Sequence, residues 1–148
     1  MTLAERVSEE MGDVLGETVG VSIRFVSKFN EKTRIKYMTE GILLREMLAD
    51  PLLSEYAVIM IDEAHERNTL TDCTMGLLKK IAKKRDNLKI IISSATVDAE
   101  LFKDFFNFTT KTKKDSSIIL TVEGRMYENE IFYLDGKILI KIFVICFI

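Results

Sequence analysis

The chain has 148 residues, 47% of them apolar and 30% charged, with seven glycines, one proline and a formal net charge of -2. That length holds one domain with a real core, and the composition excludes a disordered or low-complexity protein. The near-neutral balance excludes a chain that grips nucleic acid by bulk charge, so any such contact must come from local groups, backbone amides included.

At the start, Glu5, Arg6, Glu9 and Glu10 interrupt any apolar run, so no signal peptide is legible. Thr2 to Val14 sets Leu3, Val7 and Met11 at a helical spacing and predicts an amphipathic helix. Thr2 would cap it, with Glu5 completing a capping box. Thr18 to Phe25 alternates and is rich in β-branched residues, which predicts a strand. Asn30 to Thr33 is polar and predicts a turn, and Ile35 to Met38 a short strand. Thr39-Glu40-Gly41 then opens a helix running to about Ala49. Thr39 is its expected cap, and Asp50-Pro51 stops it, because the residue before proline resists the α conformation. A helix start presents free backbone N–H groups, which suit a phosphate. A plain cap is the alternative role for Thr39, and the two are compatible.

The most informative stretch is Val58-Ile59-Met60-Ile61-Asp62-Glu63-Ala64-His65-Glu66-Arg67. The apolar run predicts a strand buried on both faces, as in a parallel sheet covered by helices. Two acids at its carboxyl end stand where open α/β sheets place ligands. In P-loop NTPases an Asp at this position helps hold Mg²⁺ on the nucleotide phosphates. A buried strand ending in a solvated acidic turn is the plainer alternative. His65 is the only histidine. Glu66 and Arg67 are expected to hold the loop by ion pairing.

Asn68 to Lys84 predicts a helix, with Met75, Leu78 and Ala82 on one stripe and Leu77 and Ile81 beside it. Lys79, Lys80, Lys83, Lys84 and Arg85 crowd its end, where cations complement the helix dipole. They read as a solvated face before they read as an RNA patch. Leu88 to Ile92 predicts another buried strand, which delivers Ser93-Ser94-Ala95-Thr96 to the sheet edge that carries Asp62. Asp98 to Phe106 predicts an amphipathic helix, Asn107 to Ser117 a loop, and Ile118 to Val122 and Glu130 to Tyr133 strands. Cys73 and Cys146 form no metal-like spacing and read as two reduced thiols. No stretch is long enough to span a membrane. The last eleven residues, Ile138 to Ile148, carry one charge, Lys141.

Taken together, three blocks resemble one family. Asp62-Glu63-Ala64-His65 matches motif II of the DEAH-box ATP-dependent RNA helicases. Ile35-Lys36-Tyr37-Met38-Thr39-Glu40-Gly41 through Glu46 is similar to the block around motif Ib, and Ser94-Ala95-Thr96 to motif III, in the family's order and approximate spacing. Val19 to Phe25 and Val122 to Arg125 also fit. Over residues 1–135 the chain resembles the first RecA-like domain of that family. Asp50-Pro51-Leu52-Leu53, Gly76 to Lys80 and Ile131 to Leu134 are most similar to a spliceosome-associated member.

The resemblance implies an α/β fold, a RecA-like (P-loop NTPase) parallel sheet flanked by helices. It would lack the N-terminal Walker A strand and loop, since no Gly-x-x-x-x-Gly-Lys-Ser/Thr occurs. It implies ATP and Mg²⁺ as cofactors, RNA and spliceosomal proteins as partners, no membrane, and an intracellular, nuclear location. By the same resemblance Asp62 holds Mg²⁺ and Glu63 orients and deprotonates the attacking water. His65 couples the nucleotide site to motif III, Ser94 and Thr96 sense phosphate loss, and Thr39 and Gly41 touch the RNA backbone.

The chain departs from the family in three places. Gly124-Arg125-Met126-Tyr127 is followed by Glu128-Asn129 where a proline is usual. The second RecA-like domain, with its arginine finger, is missing. Residues 136–148 form an atypical apolar tail, expected to come from read-through, alternative splicing or an erroneous gene model. The expectation is a helicase fragment, poorly soluble and without ATPase activity by itself. The alternative is an inactive form that only binds partners or RNA. Another NTPase with a similar acidic box is a third reading, against which the upstream and downstream blocks argue.

Overall fold

A computed structural model of the chain describes residues 2–95, 99–108 and 116–122. Two apolar clusters organise them, and the chain builds these in turn.

The first cluster joins a helix to a three-stranded sheet. Helix α1 (Thr2–Glu10) is followed by β1 (Val19–Ile23), β2 (Val26–Lys28) and β3 (Ile35–Met38). The sheet order is β2-β1-β3, with β2 antiparallel to β1 and β3 parallel to it. Ala4, Val19 and Val21 form its core, flanked by Val7, Leu15, Ile23 and Tyr37. Helix α1 ends at Glu10 rather than Val14, and Thr2 is its first helical residue rather than its cap. Its innermost side chains are Ala4 and Ser8, while Leu3 and Met11 stay exposed. Small side chains let the helix lie close on the sheet, so the larger ones splay to its margins.

The strand expected over Thr18 to Phe25 stops at Ile23. The chain reverses over Arg24-Phe25 and returns as β2, an element the sequence did not announce. Phe25 takes a left-handed φ of 69° there. The alternating text runs on through the reversal without glycine, asparagine or proline, so nothing marks it. Gly20 is sterically required in this sheet. A Cβ there would lie 2.6 Å from Phe29 Cβ and 2.9 Å from Thr33 Cγ2. The turn at Asn30–Thr33 forms as expected, with Thr33 N–H donating to Asn30 O and Lys32 N–H to Asn30 Oδ1.

Helix α2 (Glu40–Ala49) begins where Thr39 stands in extended backbone. Thr39 holds the cap position, but its side chain makes no capping hydrogen bond. Its carbonyl instead accepts the N–H groups of Ile42 and Leu43. Asp50 ends the helix as expected, and its carboxylate then accepts Leu52 N–H, Ser54 N–H and the Ser54 hydroxyl.

The second cluster holds β4 (Val58–Ile61), α3 (Thr69–Ala82), β5 (Lys89–Ile92) and α4 (Ala99–Phe106). Strands β4 and β5 pair parallel in register, Val58 with Lys89 through Ile61 with Ile92. Leu43, Met47, Leu53, Ile59, Ile61, Met75, Leu78, Phe102 and Phe106 are among its buried residues. The expectation that β4 is buried on both faces does not hold. Ile59 and Ile61 are buried, but Val58 and Met60 are 52% and 58% exposed. Among the described residues this sheet has two strands, so α2, α3 and α4 can cover one face while the other stays bare.

The buried stripe of α3 is Thr71, Thr74, Met75, Leu78 and Ile81. Ala82 is half-buried and Leu77 exposed, so the expected stripe is rotated toward two threonines. In α4 the inward residues are Phe102 and Phe106, with Leu101 and Phe105 outside. Ile118 to Val122 is no strand: it is irregular, with Ile118, Leu120 and Val122 exposed. A strand needs a partner for its N–H and C=O groups, and none of the described residues provides one. The structure is thus α/β with parallel pairing, in two small sheets where one was expected. The expected strand at Glu130 to Tyr133, the Gly124-Arg125 turn and the tail lie outside the described residues. No helix among the described residues is long and apolar enough to cross a membrane.

Candidate functional site

The site grows from the carboxyl ends of β4 and β5. After Ile61 the chain turns sharply through a single 3-10 turn, Ala64–Glu66. Glu63 and Arg67 bracket that turn, both left-handed at φ 51° and 52°. Each costs about 1 kcal/mol for a residue with a Cβ, so the surroundings must hold the loop in place. Two main-chain bonds do so. Ser93 N–H donates to Ile61 O at 2.8 Å, and Ala64 N–H donates to Ser93 O at 3.0 Å. These continue the parallel ladder past both strands and bury Ala64 completely.

Asp62 and Glu63 are both exposed at this edge. Asp62 Oδ1 accepts Glu63 N–H at 3.0 Å. No other hydrogen bond or ion pair engages Asp62 among the described residues, so its second oxygen is open to a hard cation. Mg²⁺ takes one or two carboxylates and keeps several waters, and Asp62 fits that demand. Among the described residues no group of three or more His, Cys, Asp or Glu side chains could cage a metal.

His65 reaches back across the turn. Its Nδ1 accepts Ala95 N–H at 3.2 Å and lies 3.4 Å from Glu63 Oε2. One nitrogen cannot accept from Ala95 and also donate to Glu63. With Ala95 as donor, Nδ1 carries the lone pair and the ring proton sits on Nε2. The imidazole thereby ties the acidic turn to the Ser93–Ala95 segment. Ser94 belongs to that segment, and Thr96 lies outside the described residues.

The loop's other end is fixed by charge. Arg67 grips Asp72 of α3 in a two-pronged pair, Nε to Oδ1 and Nη2 to Oδ2, each 3.0 Å. That bonding holds the Asp72 carboxyl below its usual range. Glu66 departs from expectation: it accepts a hydrogen bond from Asn68 Nδ2 instead of forming an ion pair. Asn68 and Asp72 belong to the start of α3, so helix and loop are one unit.

Thr39 and Gly41 sit apart from the acids, at the exposed head of α2. A Cβ on Gly41 would meet nothing within 4 Å. The fold itself therefore does not require a glycine there. A link absent from sequence reasoning connects this head to the acidic loop. Thr71 Oγ1 donates to Glu40 Oε1 at 3.1 Å. The first turn of α3 thus carries Thr71, bonded to the α2 head, and Asp72, bonded to the acidic loop. Also unforeseen is the cluster of Lys36, Glu46 and Tyr56. Lys36 Nζ lies 2.7 Å from Glu46 Oε1 and 3.0 Å from the Tyr56 hydroxyl, which donates to Glu46 Oε2. Burial pulls the Lys36 pKa down, but bonds to Glu46 and Tyr56 outweigh it and the net shift is upward. Burial, then the Glu46 bond, pushes Tyr56 up. Residues ten apart give no local signal of such a contact.

No protein-family model matches the chain. It is 53% identical over 141 residues to a human protein named probable ATP-dependent RNA helicase DHX35, covering 93% of this chain and 20% of that protein. Its counterpart from Pongo abelii is 52% identical over the same length. A Caenorhabditis elegans homolog is 56% identical over 129 residues, 86% of this chain and 18% of the relative. The chain thus spans about a fifth of the length of the curated relatives it matches.

Proposed function

From the premise that this chain belongs to the DEAH-box ATP-dependent RNA helicases, we propose that it carries the hydrolytic acids and part of the RNA contact of an enzyme that couples ATP hydrolysis to RNA remodelling. The observation that carries this reading is the turn in which Asp62 and Glu63 are exposed while His65 is bonded to Ala95. Bound Mg²⁺ would neutralise phosphate charge. Asp62 holds that ion, and Glu63 orients and deprotonates the attacking water. His65 holds the turn to the Ser93–Thr96 segment, where Ser94 and Thr96 sense the departing phosphate. Thr39 and Gly41 meet the RNA backbone. The open space at Gly41 supports this, because a bare helix start lets a phosphate approach the N–H groups. The fold in this reading is a partial first RecA-like domain, residues 1–135, lacking its Walker A strand and loop, with a nuclear role in pre-mRNA splicing among spliceosomal proteins.

The test is to exchange the matching stretch of the human relative for this chain's and measure RNA-stimulated ATP hydrolysis. Hydrolysis that Glu63→Gln abolishes is expected, and hydrolysis that survives Glu63→Gln overturns the reading. One observation favours a second reading, in which the chain acts by binding alone. Among the described residues the outer face of the β4–β5 sheet exposes Val58, Met60 and Ile91, an apolar patch that a partner can cover. Immunoblotting native material with an antibody against Glu66 to Lys80 separates the two. A band several times larger than 17.0 kDa supports the enzyme, and one near that mass supports the binding form.

A further inference from the structure

A groove of about 480 Å³ runs between α2 and α3 and shares no residue with the acidic turn. Leu44, Met47 and Leu48 wall it on the α2 side, and Leu77 and Ile81 on the α3 side. Leu48 is 85% exposed. On α3 and the turn beyond it, Leu77, Lys80, Ile81 and Lys84 follow a helical i, i+3, i+4, i+7 spacing, so two lysines stand along one rim. Neither lysine has an ion-pair partner among the described residues. Their neighbours differ: Lys79 Nζ lies 4.0 Å from the Phe105 ring centroid, and Lys83 Nζ 5.6 Å from that of Phe108.

The groove is preformed. Arg85 donates to the carbonyls of Leu52, Leu53 and Tyr56 and so fixes the loop that closes one end. Gly76 sits within α3, where glycine costs about 1 kcal/mol against alanine, yet a Cβ there would meet nothing within 4 Å. Its absence leaves room for close approach of a second backbone beside the groove.

We infer that this groove docks an amphipathic helix of a partner protein, with an apolar stripe flanked by Asp or Glu. The walls are helices whose main-chain groups are already bonded, so an added strand would find no edge, whereas a helix can lay its apolar face into the channel. The lining has no aromatic ring on which a nucleic-acid base could stack. Lys80 and Lys84 select acidic flanks over basic ones, because like charges across an interface are repelled. This inference goes beyond the nucleotide reading and does not rest on it.

The test displays random peptides of about 14 residues, enough for a helix as long as α3, to the immobilised full chain. Selected peptides are then measured by fluorescence anisotropy. The expected consensus is an apolar i, i+3, i+4, i+7 pattern with acidic neighbours. Leu48→Glu should weaken binding at least about tenfold, the loss typical of an interface anchor. A Lys80→Glu/Lys84→Glu chain should instead prefer the same peptides with Lys in place of Glu. These three side chains are exposed, and circular dichroism of each variant checks that the fold is kept. Selection without that consensus, binding indifferent to Leu48→Glu, or self-association through this face that peptides do not compete would each overturn the inference.

Discussion

The two sheets differ most in what stands at their exposed ends. Around β2-β1-β3 the chain bonds to itself. Asp13 accepts the N–H groups of Val14 and Thr18 and the Thr18 hydroxyl, and Lys36, Glu46 and Tyr56 close on one another. Around β4–β5 the acids face water, one sheet face is bare, and two left-handed residues bracket the turn. Backbone strain clusters at functional sites, and here it coincides with adjacent exposed acids at Glu63, whereas the left-handed Phe25 between β1 and β2 has no such acids beside it. The acidic turn stands on the second sheet, and none of its residues belongs to the first.

The contrast can be broken most sharply at Glu63. In the exchanged enzyme, Glu63→Gln should cut ATP hydrolysis by about 10²–10⁴-fold, as expected for a lost general base, and leave thermal stability unchanged. An equal loss of stability would make Glu63 scaffold after all. Next is Glu46, whose removal strands the poorly exposed Lys36 ammonium. Glu46→Ala should cost roughly 2 kcal/mol in urea denaturation, below the 3–5 seen for fully buried pairs. The two glycines then separate the regions directly. Gly20→Ala forces a Cβ into Phe29 and should destabilise by about 1–3 kcal/mol. Gly41→Ala should stabilise by up to about 1 kcal/mol through helix propensity, while lowering RNA crosslinking to the α2 head.

The smallest expected effects are on pH. The Lys36 and Tyr56 pKa values are raised above 10.5 and 10.0. The folded state then holds their protons longer than the unfolded chain does. Their stabilisation is complete below pH 10 and is lost as pH rises through the raised values. Asp13, Asp50 and Asp72 are depressed below 3.8, the first two chiefly by hydroxyl hydrogen bonds and Asp72 by Arg67. Their contribution is present above that value and fades as pH falls through the lowered ones. Denaturant midpoints from pH 2 to 12 should show both losses, the alkaline one shrinking in Glu46→Ala while the part due to Tyr56 burial stays.

How legible was this in the residues alone? Strand β3 and helix α2 were read with their observed bounds, because the alternating run Ile35-Lys36-Tyr37-Met38, Thr39 and Asp50-Pro51 mark them. Strand β2 was missed for want of punctuation at Arg24-Phe25. The segment Ile118 to Val122 misled, because β-branched text states a preference and not the presence of a partner. The burial of β4 was overstated for the same reason: whether an apolar strand has two covered faces depends on neighbours far away in the chain. The acidic turn was legible as a motif, but the bonds organising it were not. His65 to Ala95 and Glu40 to Thr71 span thirty residues or so, beyond any local pattern.

The bonds between Ile61, Ser93 and Ala64 run from main chain to main chain. The connection therefore does not depend on any side-chain polar group, although Ile61 and Ala64 are themselves buried in the core. Ser93→Ala would leave both bonds in place. Only an imino acid can cut it: Ser93→Pro removes the donor to Ile61, and Ala64→Pro the donor to Ser93. Each would free one end of the acidic turn without altering a single functional side chain.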